Sequence, residues 1–191
     1  GPNGAGKTTT MNVLLGFLNA TGGAACLFGV NVREPIARQR IGYLPEDRKR
    51  QGLVLSMSCR ENLSLSIMER LKRWGLFDHR RDKTLAREYF ERLRVRAPSV
   101  DSEIAGLSGG NQQKVLMARW LYRDCAIVIF DEPTRGIDVG AKAEIQKLVL
   151  SLAEEGRACV FISSELEEVL RTSHRIIVMR DREKVTEFAG E

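Results

Sequence analysis

The chain has 191 residues, 43% hydrophobic and 29% charged, with a formal net charge of +5. That length suits one domain, or one domain with an insertion, and folding removes about 70% of the surface the unfolded chain exposes. No apolar run approaches the roughly 20 residues of a membrane span, the four cysteines lack metal-type spacing, and no basic run is interleaved with aromatics as a stacking surface for nucleic acid requires.

The chain opens on Gly1-Pro2-Asn3-Gly4-Ala5-Gly6-Lys7-Thr8, which fits G-x-x-x-x-G-K-[ST] without a mismatch. Glycines let backbone N–H groups close around phosphate oxygens. Lys7 adds a charge for the β- and γ-phosphates, and Thr8 offers a hydroxyl to Mg²⁺. From Thr9 onward the chain starts a helix whose positive end faces the anion. The motif implies that the chain binds a nucleoside triphosphate. A phosphate loop needs a strand feeding it, and none precedes Gly1 in this sequence; the expectation is therefore an N-terminal truncation, with edges of the sheet left unpaired.

Apolar spacing predicts a helix over 8–18, with Met11, Leu14, Leu15 and Leu18 on one face and Gly22-Gly23 ending it. Residues 24–28 read as a short strand stopped by Gly29. Residues 41–44 read as another, followed by Pro45 and a charged loop from Glu46 to Gly52. From 60 to about 97 the chain is charge-rich and helical, with Leu85, Ala86, Tyr89, Phe90 and Leu93 on one face. After Gly106 helices and strands alternate: helix 111–122, strand 126–130, helix 141–154, strand 158–162, helix 165–170 and strand 176–179. Such alternation implies a parallel sheet. Three of Cys26, Cys59, Cys125 and Cys159 sit in or beside apolar stretches and read as buried small hydrophobes, which fits a reducing compartment.

Two further stretches carry chemistry. The apolar run over 127–130 delivers Asp131 and Glu132 at its carboxyl end, where open α/β sheets bind ligands. Asp131 can hold Mg²⁺, and Glu132 is placed to orient or deprotonate an attacking water. In Leu107-Ser108-Gly109-Gly110-Asn111-Gln112-Gln113-Lys114, Ser108 can cap the helix after it, and the two glycines leave its first N–H groups bare. One nucleotide needs one phosphate loop, so a second anion-binding helix end suggests a composite site shared between two subunits.

The order of phosphate loop, Leu-Ser-Gly-Gly-Asn-Gln-Gln and strand-Asp-Glu-Pro-Thr is similar to the ATP-binding cassette (ABC) ATPases. More narrowly, Glu46 to Leu53, Ser108 to Lys114 and Pro133 to Lys142 resemble the C-terminal cassette of tandem importer ATPases for ribose-, galactose- or xylose-type sugars and nucleoside-type relatives. The resemblance implies an α/β P-loop NTPase (RecA-like) fold. A mostly parallel sheet would be flanked by helices, with a core of about 1–55 and 112–191, an inserted helical subdomain of about 56–111, and its first strands missing. It implies ATP and Mg²⁺, a head-to-tail pair of cassettes with each ATP between one phosphate loop and the other's signature, membrane permease subunits, indirectly a solute-binding protein, and a place on the cytoplasmic face of the membrane. Asp138 would be the aspartate at the dimer seam; the family's adenine-stacking aromatic lies upstream of Gly1.

Two positions depart from the usual pattern. Glu46 stands where ABC cassettes usually carry Gln as a neutral ligand to Mg²⁺ and water; a carboxylate there adds negative charge beside the γ-phosphate unless Arg48 or Lys49 neutralises it. Ser164 takes the place of the usual His and cannot become cationic. Both departures are typical of the sugar-importer C-terminal cassette. They divide the expectation between a hydrolysing cassette and a degenerate, slowly hydrolysing half-site that lends its signature to a partner. His174 reads as a structural or surface residue, and His79, in the charged insertion, as solvent-exposed.

Overall fold

The computed structural model describes residues 5–189. Helix α1 (Lys7–Leu14) ends earlier than its apolar spacing predicts. Gly16, at φ 71°, closes it in a Schellman turn. The Phe17 N–H donates to the Asn12 carbonyl at 2.8 Å and the Gly16 N–H to the Val13 carbonyl at 3.0 Å. Next come β1 (Cys26–Leu27) and β2 (Val30–Asn31), an antiparallel pair, then α2 (Pro35–Arg38) and β3 (Ile41–Leu44).

The charge-rich stretch is more varied than a run of helices. It holds α3 (Cys59–Ser64), an antiparallel hairpin of β4 (Lys72–Arg73) and β5 (Leu76–Phe77), and α4 (His79–Arg92). A reciprocal capping box starts α3: Ser58 accepts from the Glu61 N–H, and Glu61 accepts from the Ser58 N–H. Helix α4 turns Ala86, Phe90 and Leu93 into the core, with Leu85 and Tyr89 packed alongside, in keeping with their spacing.

Helix α5 (Gly109–Tyr122) comes next, then β6 (Ile127–Asp131), α6 (Val139–Glu154), β7 (Ala158–Ile162), α7 (Leu166–Thr172), β8 (Arg175–Arg180) and β9 (Glu183–Ala189). Among the described residues the parallel sheet has the order β3-β6-β7, and β8 pairs with β9 in a separate antiparallel hairpin. Strand β6 lies between two parallel neighbours and is buried from Val128 to Asp131, which explains its unbroken apolar sequence.

Side chains alternate across a strand, and this sorts the core. Val128 and Phe130 face the large cluster formed by α3, α4, α5 and α6. Ile129 faces the other side, where it packs with Ile41, Ile162 and Leu15 at the end of α1. Asp131 continues the Ile129 face, so the strand delivers its carboxylate to the side that carries α1. Close packing of α5 on β3 depends on Gly42, where a Cβ would come within 2.8 Å of the Trp120 Cβ.

Candidate functional site

Asp131 is 1% exposed. Its Oδ2 accepts a hydrogen bond from the Tyr43 hydroxyl at 3.1 Å. Tyr43 lies opposite Ile129 in the β3–β6 register, on the same face as Asp131. Burial raises the Asp131 carboxyl above the usual carboxylate range, while the Tyr43 hydrogen bond and the Lys7 charge oppose that rise. The Tyr43 hydroxyl is itself pushed up, first by burial and then by the Asp131 charge. Lys7, half-buried, opens α1; Thr8 and Thr9 are exposed on its first turn, and Ala5 is buried just before it. Gly6 takes φ 90°, and a Cβ there would come within 3.1 Å of the Arg182 Cα, so the turn joining β8 to β9 seats directly on the loop. Gly1, Pro2, Asn3 and Gly4 lie outside the described residues.

Glu132 comes directly after Asp131 with φ 47°, a left-handed conformation uncommon for a residue of its kind. Its N–H donates to the Ile162 carbonyl at 2.9 Å, which ties the ends of β6 and β7 together. Its Oε2 accepts from the Ser164 hydroxyl at 3.3 Å. The structure therefore unites the candidate water-orienting carboxylate with the serine that replaces the usual histidine.

Glu46 forms an ion pair with Arg135, from the loop after β6. The neutralising partner is thus Arg135 rather than Arg48 or Lys49. Arg48 instead donates to the Arg135 carbonyl at 3.0 Å and the Gly136 carbonyl at 3.5 Å, and Lys49 is exposed. Arg135 is the residue that sequence reasoning misses: its partner comes from the adjacent strand end, and strand order is not written in local spacing.

Ser108 caps α5, accepting from the Asn111 N–H at 3.4 Å and the Asn111 side-chain amide at 3.0 Å. Asn111 in turn accepts from the Arg96 N–H at 2.7 Å. The helix includes both glycines, two residues earlier than expected. Each is hemmed in within the chain: a Cβ at Gly109 would reach 2.6 Å from Arg48 Nη2, and one at Gly110 would reach 2.6 Å from the Ala141 Cβ. At Gly110 small size is needed for packing on α6, whereas the nearest atom at Gly109 is the flexible end of Arg48. Asp138 caps α6, its Oδ1 accepting from the Ala141 N–H at 2.9 Å. These hydrogen bonds join the Ser108–Asn111 turn to its own surroundings and not to α1, so they do not bring together the two helix ends expected to bind anions. His79 is exposed, as expected, and of the two readings of His174 its exposure favours the surface one.

The residues suit a magnesium-bound nucleotide. Mg²⁺ takes oxygen ligands, keeps several waters and needs one or two protein groups plus phosphate. The Asp131 carboxylate and Thr8 hydroxyl supply that chemistry. Among the described residues no group of three or more His, Cys, Asp or Glu side chains is placed to hold a metal ion.

Residues 1–135 match the family model described as ABC transporter. The chain belongs to this family. A ribose/galactose/methyl galactoside import ATP-binding protein (named as putative) of Burkholderia lata is 51% identical over 181 residues, covering 92% of this chain and 35% of that protein. The ribose import ATP-binding protein RbsA of Hahella chejuensis is 42% identical, covering 98% and 38%. The galactofuranose transporter ATP-binding protein YtfR of Escherichia coli O157:H7 is 43% identical, covering 97% and 38%. The chain thus spans little more than a third of the curated relatives it matches. Among solved structures, a nucleotide-free cassette from an ABC transporter superposes with a TM-score of 0.83 at 26% identity, covering 100% of this chain and 78% of that one. The dimeric, post-hydrolysis cassette MJ0796 bound to ADP and Pi superposes with a TM-score of 0.82 at 23% identity, covering 98% and 82%. These likenesses give the ABC chain its fold: an α/β P-loop NTPase sheet flanked by helices. No helix among the described residues is long and apolar enough to cross a membrane.

Proposed function

We propose that this ABC segment binds and hydrolyses ATP to power a membrane importer for a sugar or a similar small solute. The buried Asp131, facing α1 and held by Tyr43, carries the reading, because an oxygen donor beside the phosphate loop has a direct use only with a metal–nucleotide complex. Gly1 to Thr9 would hold the phosphates, and Thr8 and Asp131 the Mg²⁺, whose contribution when bound is to neutralise charge on the phosphate oxygens. Glu132 would orient the attacking water. Glu46, assigned from sequence to the metal and the water, would act through its pairing with Arg135. The sugar class rests on the names of the relatives.

Ser108, Gly109, Gly110 and Asn111, with Asp138 at the seam, would serve the nucleotide of a second cassette in a head-to-tail pair. The core of about 1–55 and 112–191 would carry the nucleotide, and the helical part of about 56–111 would meet permease subunits at the cytoplasmic face. A solute-binding protein would deliver the cargo. The test uses the full-length protein with its permease in liposomes. Glu132→Gln is expected to lower ATP hydrolysis by about 10²–10⁴-fold, the usual worth of a positioned base, and to leave ATP binding intact. Hydrolysis left unchanged by Glu132→Gln in a protein whose other cassette already carries the matching Glu-to-Gln change overturns the assignment of Glu132.

A second reading has its own support: the group beside Glu132 is the neutral hydroxyl of Ser164. A donor lost from the transition state costs on the order of 10²–10³ in rate. In this reading the present site binds ATP and turns over slowly, while its signature serves the other cassette. A mild effect of Glu132→Gln beside a severe effect of the matching change in the other cassette supports this reading; the reverse pattern removes it.

A further inference from the structure

Glu168, on α7, is 4% exposed. Its Oε2 accepts two hydrogen bonds from two different loops. One comes from the Thr134 hydroxyl at 2.6 Å, the other from the Ser163 hydroxyl at 2.9 Å. Thr134 lies two residues past Glu132 on the loop after β6, and Ser163 adjoins Ser164 on the loop after β7. Thr134 is 1% exposed and Ser163 8%, so neither hydroxyl has ready access to water as a substitute acceptor. The Ser163 oxygen is used twice, since it also accepts from the Glu165 N–H at 3.0 Å. On the other side of the carboxylate, Oε1 lies 3.5 Å from Lys142 Nζ, on the first turns of α6. Lys142 pairs also with Glu165 at 2.5 Å. One buried carboxylate therefore joins three segments: the loop carrying Glu132, the loop carrying Ser164 and the helix capped by Asp138.

We propose that Glu168 is a positioning residue of the hydrolytic site: it clamps the loops after β6 and β7 together and so sets the Glu132–Ser164 contact. A carboxylate suits the role because one of its oxygens accepts from both hydroxyls at once. Deleting it leaves two buried O–H groups without an acceptor and Lys142 with less opposing charge. The left-handed backbone at Glu132 is the kind of local strain that surrounding contacts must hold in place.

The catalytic part of this proposal rests on the assignment of Glu132 to the attacking water, so the experiment carries a readout that needs no hydrolysis. In the full-length protein, amide hydrogen exchange is measured over residues 132–136 and 163–166 for Glu168→Leu, Glu168→Gln and Thr134→Val. Glu168→Leu is expected to raise exchange in both loops. Thr134→Val is expected to raise it in the 163–166 loop as well as its own, since removing one arm loosens the clamp. Glu168→Gln keeps an oxygen that can accept both bonds and is expected to stay near wild type. Turnover is measured in the assembled transporter with the other cassette's matching glutamate changed to Gln, so that this site alone reports. Glu168→Leu should lower kcat by about 10–100-fold, the range for partners that act through another residue, with KM for ATP within about twofold. Loosening of only one loop, or equal losses for Gln and Leu together with a fall in Tm, overturns the clamp. If Glu132→Gln leaves turnover intact, the assignment of Glu132 fails, and the exchange data still decide whether Glu168 couples the loops.

Discussion

Gly110→Ala separates two reasons for a glycine after Ser108: packing against α6, or room for a nucleotide held by a partner. A methyl at residue 110 would lie 2.6 Å from the Ala141 Cβ. Non-bonded carbons rest at about 3.5–4.0 Å, so the overlap is about 1 Å. Neither carbon ends a flexible side chain, and relief requires α5 to move against α6, at a cost of about 1–3 kcal/mol. For a domain of this size that lowers Tm by roughly 2–12 °C. Ala141→Gly removes the opposing methyl, at a helix cost of about 0.5–1 kcal/mol. The double variant should recover most of the loss, as contacting residues couple by about 0.5–3 kcal/mol. Thermal melts and ATP hydrolysis of the full-length protein are measured for both single variants and the double. Recovery of stability and turnover assigns Gly110 to packing alone. Recovery of stability without turnover assigns it also to the partner's nucleotide. A Gly110→Ala protein that melts with wild type, or a double variant no more stable than the single, refutes the packing argument.

Three other variants probe ion pairs and hydrogen bonds, two at the site and one in the helical insertion. Tyr43→Phe removes a hydrogen bond that holds the Asp131 carboxyl down, so the acid limb of Mg-ATP binding should move to higher pH. Burial already holds the Asp131 carboxyl above its ordinary value, so its share of stability is present below the ordinary carboxylate range and is lost as pH rises through the folded value. The Tyr43→Phe melt should therefore fall further at pH 7 than at pH 4; an equal fall at both would mean that the hydrogen bond does not distinguish the two forms. Arg135→Ala breaks an ion pair whose side chains are 60% and 37% exposed. It should cost no more than about 1 kcal/mol yet weaken ATP affinity by up to about fivefold, and Glu46→Gln added to it should restore binding; affinity unaltered by Arg135→Ala would show that Glu46 needs no neutralising partner. Asp82 is buried, holds Arg60 at 2.5 Å and also accepts from Ser64. Asp82→Ala should destabilise by about 3–5 kcal/mol, since Arg60 keeps its charge, as read by chemical denaturation; a loss under about 1 kcal/mol would show that Asp101 alone satisfies Arg60.

Much of the site is legible in the sequence because its parts are local signals. A capping serine, a glycine pair and an apolar strand ending in two acids each announce themselves within a few residues; Ser108 does cap a helix, which takes in both glycines, and the apolar strand does end at Asp131. The features that are not legible depend on register or on turns with weak signatures. The turns Phe28-Gly29, Trp74-Gly75 and Asp181-Arg182 all take positive φ at both residues, the geometry of two-residue hairpins. Two of them join strands only two residues long, too short to show alternation. The Asp181-Arg182 turn contains no glycine, so nothing local announces β9. At Gly16 two signals conflict: the apolar spacing continues to Leu18, whereas an isolated glycine is the usual sign of a left-handed cap, and the cap prevails.

The contacts that matter most to the site come from one parallel register. Leu44 pairs with Phe130, and Phe130 with Phe161. Two residues beyond these partners stand Glu46, Glu132 and Ser163, so three loops distant in sequence leave the sheet at one level. That level explains why Arg135 can meet Glu46, why Ser164 can meet Glu132, and why one carboxylate on α7 can reach Thr134 and Ser163 together. The register is fixed by burial on both faces of β6: a slip of one residue would send Val128 and Phe130 to the α1 side and turn Asp131 toward α5. The hydrophobic pattern that holds the sheet therefore also holds the acidic group on the phosphate-loop side. Glu46 and Ser164, the two departures from the usual pattern, both meet partners that the same register supplies.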